Sequence, residues 1–291
     1  MKIATITNAS VEAQKAHIQK HSWMGLRDIE NPCNEVIEFA VKLSGYAIQY
    51  INNPSEKLQI LAVKEDYDSI ELIENPSEKV QLAAVRTNGC AIGFIDNPSE
   101  KVMWAALRNR PDCIDAIDNP TEKMQLYAID VDNDNFYSIV HPTEKVIRKA
   151  VKKDPSLIYS VDNPSEKVQM IAVQKDCTTV DYIDELPDKI VNYVMKTDVS
   201  LLIDRVHNLS EKQLIKILKQ HGNFLEFIED HKQTLKMHLA AVRNEPTAIK
   251  HIYHEKINKR VQMIAIQADP TLIDYIEYPH PDVAVIAALS N

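Results

Sequence analysis

The sequence predicts an all-α solenoid of about twelve repeats, each 22 to 24 residues long and each forming two helices. A tetrapeptide that begins Asn-Pro or an equivalent pair recurs every 22 residues, and an alanine recurs nine residues after most starts. The chain of 291 residues contains five glycines, which disfavours a loop-rich β fold. The starts are Asn31, Asn53, Asn75, Asn97, Asn119, His141 and Asn163, with weaker copies at Glu185, Asn208, Lys232, Lys256 and Tyr278 and a degraded copy at Asn8.

The first helix of the repeat follows the Asn-Pro pair. In NPSEKVQLAAVR, Asn75 suits the N-cap, Pro76 suits the first helical position, and Glu78 completes a capping box. We therefore predict a helix from Lys79 to Arg86. The recurring alanine predicts that two helix backbones approach closely there. Its column comprises Ala40, Ala62, Ala84, Ala106, Ala128, Ala150, Ala172, Ala241, Ala265 and Ala287.

The second helix begins thirteen residues after the start, where side chains that cap helices recur. Apolar residues three apart, such as Ile92 and Ile95, predict a helix of roughly seven residues that depends on packing and is partly 3₁₀. The predicted caps are Asp66, Asn88, Asp132, Asp154, Asp176, Asp198 and Asp269, and the prolines that open this helix in four copies are Pro111, Pro155, Pro246 and Pro270.

Two apolar columns predict a core that neighbouring repeats share, because one repeat cannot bury its own apolar face. They are Val36, Leu58, Val80, Val102, Met124, Val146 and Val168 in the first helix, and Ile48, Ile70, Ile92, Ile114, Phe136, Ile158 and Val180 in the second. The predicted divisions of one continuous solenoid are 1–30 (degraded capping repeat), 31–184 (seven regular repeats), 185–255 (irregular repeats) and 256–291 (regular repeat and terminal half-repeat). Val194 and Ile217 replace the packing alanine, which predicts a bend near 185–231.

The composition bounds the compartment and the partners. A net charge of −9 disfavours non-specific attraction to nucleic acid or to anionic lipid. The segment MKIATITNAS does not resemble a signal peptide, and no apolar run is long enough to span a membrane, so we expect a cytoplasmic protein. The four cysteines share no paired spacing, which predicts reduced thiols and no zinc site, and no cofactor is predicted.

The repeat NPSEKVQLAAV resembles the tandem NPSE-type α-helical repeats of many bacteriophage and bacterial proteins. It is more distantly similar to the leucine-rich repeat variant, whose short repeats also carry Asn-Pro and alternate two kinds of helix. The resemblance covers nearly the whole chain and implies an α-solenoid without catalytic residues. Because such proteins are often accessory products of phage genomes, it also implies inhibition of a host defence protein or host enzyme, in the host cytoplasm.

Two basic columns admit two interpretations. They could form a cationic stripe that follows a phosphate backbone. The favoured interpretation is a mixed, solvated face, because glutamates neighbour the first column and an acidic column lies at the junctions. The basic columns are Lys57, Lys79, Lys101, Lys123, Lys145, Lys167, Lys189 and Lys212, and Lys42, Lys64, Arg86, Arg108, Lys152, Lys196, Lys219 and Arg243; the junction acids are Glu74, Asp96, Asp118, Asp162 and Asp184.

Aromatic residues on the second helix are the candidate partner-binding residues. Placed on one face with Asp115, Ser138, Ser160 and Asp181 between them, they would suit a protein partner. The alternative is that several fill the space between repeats. The candidates are Tyr50, Phe94, Tyr137, Tyr159, Tyr182, Phe227 and Tyr275.

Other chemistry is weakly supported. His251 and His254 lie one turn apart without a third ligand at a suitable spacing, and Asp130, Asp132 and Asp134 lack the glycine and glutamate of a calcium loop. No catalytic motif is found, so we predict no enzyme. The favoured function is a scaffold that binds a protein partner, and the alternative is a nucleic-acid-binding solenoid. The favoured interpretation of the apolar terminal stretch VAVIAALSN is a half-copy whose outer face is small, and the alternative is a surface that joins two copies end to end.

Overall fold

The regular repeats each pair one α-helix with one 3₁₀-helix in the computed structural model, and no strand occurs in the residues that it describes, 9–290. The prediction of an all-α solenoid is therefore confirmed. Asn8, the start of the predicted degraded copy, lies outside the described residues. The chain forms two compact units, Met1–Ala150 and Val151–Asn291. The divisions predicted from the sequence stay predictions.

Unit 1 alternates the two kinds of helix from its first described residues. Its α-helices are α1 (Val11–His21), α2 (Asn34–Leu43), α3 (Glu56–Glu65), α4 (Glu78–Thr87), α5 (Glu100–Asn109), α6 (Glu122–Val131) and α7 (Glu144–Lys153), of which α7 contains the boundary between the units. Its 3₁₀-helices are η1 (Trp23–Asp28), η2 (Gly45–Tyr50), η3 (Tyr67–Leu72), η4 (Gly89–Phe94), η5 (Pro111–Ala116) and η6 (Asn133–Ser138).

Unit 2 continues the alternation with shorter and additional 3₁₀ segments. Its α-helices are α8 (Glu166–Lys175), α9 (Asp188–Thr197), α10 (Glu211–Leu218), α11 (Leu235–Asn244), α12 (Lys259–Ala268) and α13 (Pro281–Ser290). Its 3₁₀-helices are η7 (Pro155–Ser160), η8 (Cys177–Tyr182), η9 (Val199–Leu202), η10 (Val206–Asn208), η11 (Gly222–Phe227), η12 (Pro246–His251), η13 (His254–Lys256) and η14 (Pro270–Tyr275).

The α-helices begin two residues later than the predicted capping requires. Asn75 has a φ of 49°, in the left-handed region that asparagine tolerates better than most residues. The N-cap of α4 is Ser77 and the helix begins at Glu78, so the prediction of Asn75 as the cap was wrong. In α5 the equivalent Ser99 accepts the N–H of Val102 at 3.4 Å. The same left-handed turn occurs at Asn31, Asn53, Asn97, Asn119 and Asn163.

The 3₁₀-helices begin at the predicted caps. Asn88 Oδ1 accepts the N–H of Cys90 at 3.0 Å, and most of the predicted aspartates bond in the same way. Asp66 differs, because its carboxylate accepts the N–H of Gly45 and the hydroxyl of Ser44 in the preceding repeat, both at 2.7 Å. The short second helix is thus entirely 3₁₀, and each of these helices spans six residues in the regular repeats.

The predicted columns form the core. Every alanine of the predicted column is at most 3% exposed. Both apolar columns are buried except at Leu58, which is half-buried. Val194 and Ile217, which replace the alanine in the irregular repeats, are fully buried as well. Stacked repeats therefore share one apolar core within each unit.

Three glycines show what the alanine column contacts. At Gly45, Gly89 and Gly222, the first residues of η2, η4 and η11, an added Cβ would lie 2.2 to 2.6 Å from the carbonyl oxygen of an alanine in the next repeat. The close approach therefore joins the start of a 3₁₀-helix to the following α-helix. The N–H of Gly89 also donates to Asn109 Oδ1 of the next repeat at 2.8 Å.

Glutamines in the α-helices bond successive repeats together. Gln125 Nε2 donates to the carbonyl oxygen of His141 at 3.0 Å, and its Oε1 accepts the N–H of Thr143 at 3.1 Å. Gln169 stands in the same position of α8, but proline replaces threonine at residue 187. Pro187 has no N–H, and Gln169 Oε1 is buried without a hydrogen-bond partner.

In the irregular repeats, an arginine side chain bonds one repeat to the preceding one. The guanidinium of Arg205 donates to the carbonyl oxygens of Asp181, Ile183 and Asp184, the first and last at 3.1 and 3.2 Å. The adjacent η9 is shortened to four residues and α10 to eight. Arg205 thus supplies hydrogen bonds to the backbone carbonyl oxygens of the turn before α9, where the regular repeat pattern is lost. The predicted bend near these residues stays a prediction.

Candidate partner-binding face

The seven candidate aromatic residues all lie on 3₁₀-helices and are at least 36% exposed. The last position of the helix carries Tyr50 and Phe94 in unit 1 and Tyr182, Phe227 and Tyr275 in unit 2. The position before it carries Tyr137 in unit 1 and Tyr159 in unit 2. We call this surface, with the turn that follows each 3₁₀-helix, the 3₁₀ face.

Two of the candidates meet in a groove of unit 2 that has a volume of 550 Å³. The ring centroids of Tyr159 and Tyr182 are 5.7 Å apart in an edge-on arrangement. We call this groove the acidic groove, because carboxylates from two successive turns line it beside the rings. Its aromatic and charged lining consists of Tyr159, Tyr182, Asp162, Asp181, Asp184 and Glu185.

No cation lines the acidic groove, and none of its four carboxylates forms an ion pair within residues 9–290. Arg205 lies near the same turn, but it donates to backbone carbonyl oxygens there. Gln169, whose Oε1 lacks a donor, also lines the groove. Uncompensated carboxylates beside exposed ring faces attract a cation through charge and through the ring quadrupoles. The groove is therefore suited to a lysine or arginine side chain.

Unit 1 carries an apolar ridge on its 3₁₀ face. Tyr50, Leu72, Phe94 and Ala116 occupy the last positions of η2 to η5, and neighbouring 3₁₀-helices contact one another. Trp23 stacks against Tyr50 with ring centroids 5.8 Å apart. Sequence reasoning missed Leu72 and Ala116 because it selected aromatic residues. Their spacing of 22 residues from Tyr50 and Phe94 was the available signal.

The 3₁₀ face of unit 1 is acidic. From η2 to η6 its single cation is Arg110, which lies 2.5 Å from Asp112, and this hydrogen bond lowers the pKa of Asp112. The hydroxyl of Tyr46 donates to Asp68, which raises the pKa of Tyr46 to about 12. Ten carboxylates and one arginine occur in the segments 44–54, 66–76, 88–98, 110–120 and 132–142, which contain η2 to η6 and their turns.

The first lysine column is largely neutralised by carboxylates of the preceding repeat. Lys101 Nζ lies 2.7 Å from Glu78 Oε1, and Ser99 Oγ donates to Glu78 Oε2 at 2.9 Å. These two hydrogen bonds lower the pKa of Glu78, that from Lys101 most. The pairing supports a mixed, solvated face over a cationic stripe. The other pairs are Lys57 with Glu38, Lys79 with Glu56, Lys145 with Glu122, Lys189 with Glu166 and Lys212 with Asp188.

The second basic column is exposed but interrupted. Asp130, Gln174 and Gln267 occupy its position in α6, α8 and α12. Arg108 lies over the ring of Trp104, 5.8 Å from its centroid. The column of cations is therefore interrupted at α6 in unit 1 and at α8 and α12 in unit 2.

Histidines and cysteines do not form a site in the described residues. No three His, Cys, Asp or Glu side chains there lie close enough to hold a metal ion, and His254 is 3.9 Å from Glu277. All four cysteines are free thiols, and burial raises the pKa of Cys113 to about 12. In residues 9–290 no helix has the length and apolar character needed to cross a membrane.

Comparison of the chain with protein-family models, curated proteins and solved structures gave no match.

Proposed function

We propose that this chain is a non-enzymatic interaction protein whose 3₁₀ face binds a basic surface of a protein partner. The acidic groove carries the proposal, because two exposed tyrosines converge there with four carboxylates that form no ion pair within the described residues. The acidic 3₁₀ face and apolar ridge of unit 1 support the same partner chemistry. A partner with exposed lysine or arginine beside apolar residues would complement both.

Binding of a labelled lysine-rich peptide, measured by fluorescence anisotropy at low and high salt, tests the proposal. We expect binding at low salt that weakens with salt, because the groove is exposed. The double variant Tyr159→Ala, Tyr182→Ala should bind about tenfold more weakly, since it removes both rings. Asp162→Asn with Asp184→Asn should have a similar effect.

Two controls match these variants. Tyr253→Ala removes a tyrosine that is 51% exposed and does not line the groove. Asp204→Asn with Asp230→Asn removes the same charge elsewhere in unit 2. Both should bind the peptide as the unchanged protein does. Equal weakening in groove and control variants would show that net charge alone attracts the peptide and would refute the proposal.

Nucleic-acid binding through the basic columns is the alternative function. A mobility-shift assay with duplex and single-stranded DNA and RNA at low and high salt separates the two, because contacts with phosphates weaken strongly with salt. We expect no shift at low salt. A salt-sensitive shift that Arg86→Glu and Lys64→Glu abolish would favour the alternative.

The biological setting that we propose follows from the repeat resemblance, which implies a phage-type inhibitor of a host defence protein or enzyme. Proteins captured from a host lysate by the unchanged chain should be lost with Tyr159→Ala, Tyr182→Ala. An inhibitor should also lower the activity of the captured protein. Unchanged activity in the purified complex would favour a scaffold over an inhibitor.

A further inference from the structure

A groove of opposite charge lies between α10 and α11 in unit 2. It has a volume of 420 Å³, and an adjoining groove of 590 Å³ shares Ile215, Lys219 and Lys236 with it. Half-buried Ile215 and Leu239 supply aliphatic surface, while the cations are exposed. We call both parts together the basic groove. Among the residues that the structure describes, its cations without an ion pair are Lys216, Lys219, Lys236 and Arg243.

The chain compensates the charge of the basic groove only in part, because Glu211 is the one carboxylate in its lining. Lys212, at its edge, is bound to Asp188 at 2.7 Å. Lys236 occupies the helix position from which Lys101 reaches Glu78, but the corresponding Glu211 accepts the hydroxyl of Thr234 at 3.0 Å and forms no ion pair with Lys236. None of the four cations of the basic groove is ion-paired within residues 9–290. Four cations without an ion pair against the single carboxylate of Glu211 favour an anionic ligand.

The residues that line the basic groove favour an acidic helix over a nucleic acid as its anionic ligand. No aromatic residue lines the basic groove, whereas single-stranded nucleic acids are held by stacking on aromatic rings. A duplex would need both rows of cations to continue along the next helix, but α12 continues only the row of Lys236, with Arg260, and has Gln267 at the position of Arg243. Aliphatic surface between two rows of cations instead complements a helix with leucines on one face and carboxylates beside them.

We propose that the basic groove binds an acidic amphipathic helix of a second protein partner. This site is independent of the acidic groove, because its charge is opposite and it shares no lining residue with it. The chain would then engage one basic and one acidic partner.

The test uses the full chain and a labelled synthetic helical peptide. Leucines recur every four residues along one face of this peptide, and glutamates recur every four residues beside them. One control peptide replaces the glutamates by glutamine, and another replaces the leucines by serine. We expect the acidic peptide to bind at low salt and each control peptide to bind about tenfold more weakly, because the groove needs both the charge and the aliphatic contact. The variant Lys219→Glu, Lys236→Glu, Arg243→Glu should lose at least about tenfold in affinity for the acidic peptide.

The matched control is Lys42→Glu, Lys64→Glu, Arg86→Glu, which makes the same charge change with two lysines and one arginine on α2 to α4. It should leave the affinity within about twofold. Circular dichroism verifies that both variants fold, and Lys219→Gln with Lys236→Gln is a milder substitute if charge reversal unfolds α10 or α11. Equal losses in both triple variants, or tighter binding of an oligonucleotide than of the acidic peptide, would overturn the proposal.

Discussion

Acidification is expected to destabilise unit 2 through His238. This side chain is 2% exposed, and its Nε2 lies 3.0 Å from Gln233 Oε1, so the neutral ring donates a hydrogen bond there. Its Nδ1 is buried without a partner. Burial is the main cause, and Lys256 a smaller one, of a pKa lowered to about 4.

The magnitude follows from the two pKa values of His238. The unfolded chain takes up a proton near the ordinary pKa of about 6.5, whereas the folded chain does so near 4. Stability should therefore fall as the pH drops from about 6.5 to about 4 and should lose no more through this group below that. One pKa unit corresponds to about 1.36 kcal/mol, so the loss is about 3 kcal/mol.

The assay compares denaturant unfolding of the unchanged protein and of His238→Gln at pH 7 and near pH 4.5. Glutamine stays neutral and is the residue found at this helix position in α3, α4, α6, α8 and α12. The variant should lose about 2 kcal/mol less on acidification. A ring titration by NMR gives the pKa directly. Equal acid sensitivity of both proteins, or a His238 pKa near 6.5, would refute the reasoning.

Three further predictions concern packing and assembly. Ala84→Leu and Ala106→Leu should each lower the free energy of unfolding by roughly 1 to 3 kcal/mol through overpacking, and unchanged thermal melting in both would contradict the close approach. Gly89→Ala should lower the melting temperature, because its Cβ would lie 2.6 Å from the carbonyl oxygen of Ala106, whereas Gly93→Ala, with 3.6 Å to its nearest contact, should not. Leu289 is 81% exposed on α13, so if two copies join end to end, Leu289→Asp should dissociate them in sedimentation experiments; a monomer before the change would favour the terminal half-copy.

The period of the repeat was sufficient to predict both helices and the buried columns, and the shortness of the second helix predicted part of its 3₁₀ character. These features repeat because each copy must bury the same face against its neighbour. The helix start was predicted wrongly because Asn-Pro is a strong cap signal, and the left-handed turn at Asn75 places Ser77 at the cap instead. The serine or threonine that recurs two residues after the asparagine was the better signal.

The candidate site was less predictable. The exposure of the aromatic column follows from the 3₁₀ periodicity, but the acidic groove joins the second-last residue of η7 to the last residue of η8, a pairing that depends on how the two turns stack. The basic groove depends on an ion pair that Lys236 fails to make. Such pairing is a matter of side-chain geometry and cannot be read from spacing.

The lack of a hydrogen bond to Gln169 Oε1 should also make local opening easier between α8 and the following repeat. Gln262 makes two hydrogen bonds to the next repeat, to the carbonyl oxygen of Tyr278 and from the N–H of His280, and Gln169 makes neither kind. Backbone amides of α9 should therefore exchange with deuterium sooner than those following Gln262. Because Gln169 of α8 and Glu185 of the turn before α9 both line the acidic groove, a partner seated there would hold α8 to that turn. Slower deuterium exchange of the α9 amides when a complex forms would thus show that the acidic groove is occupied.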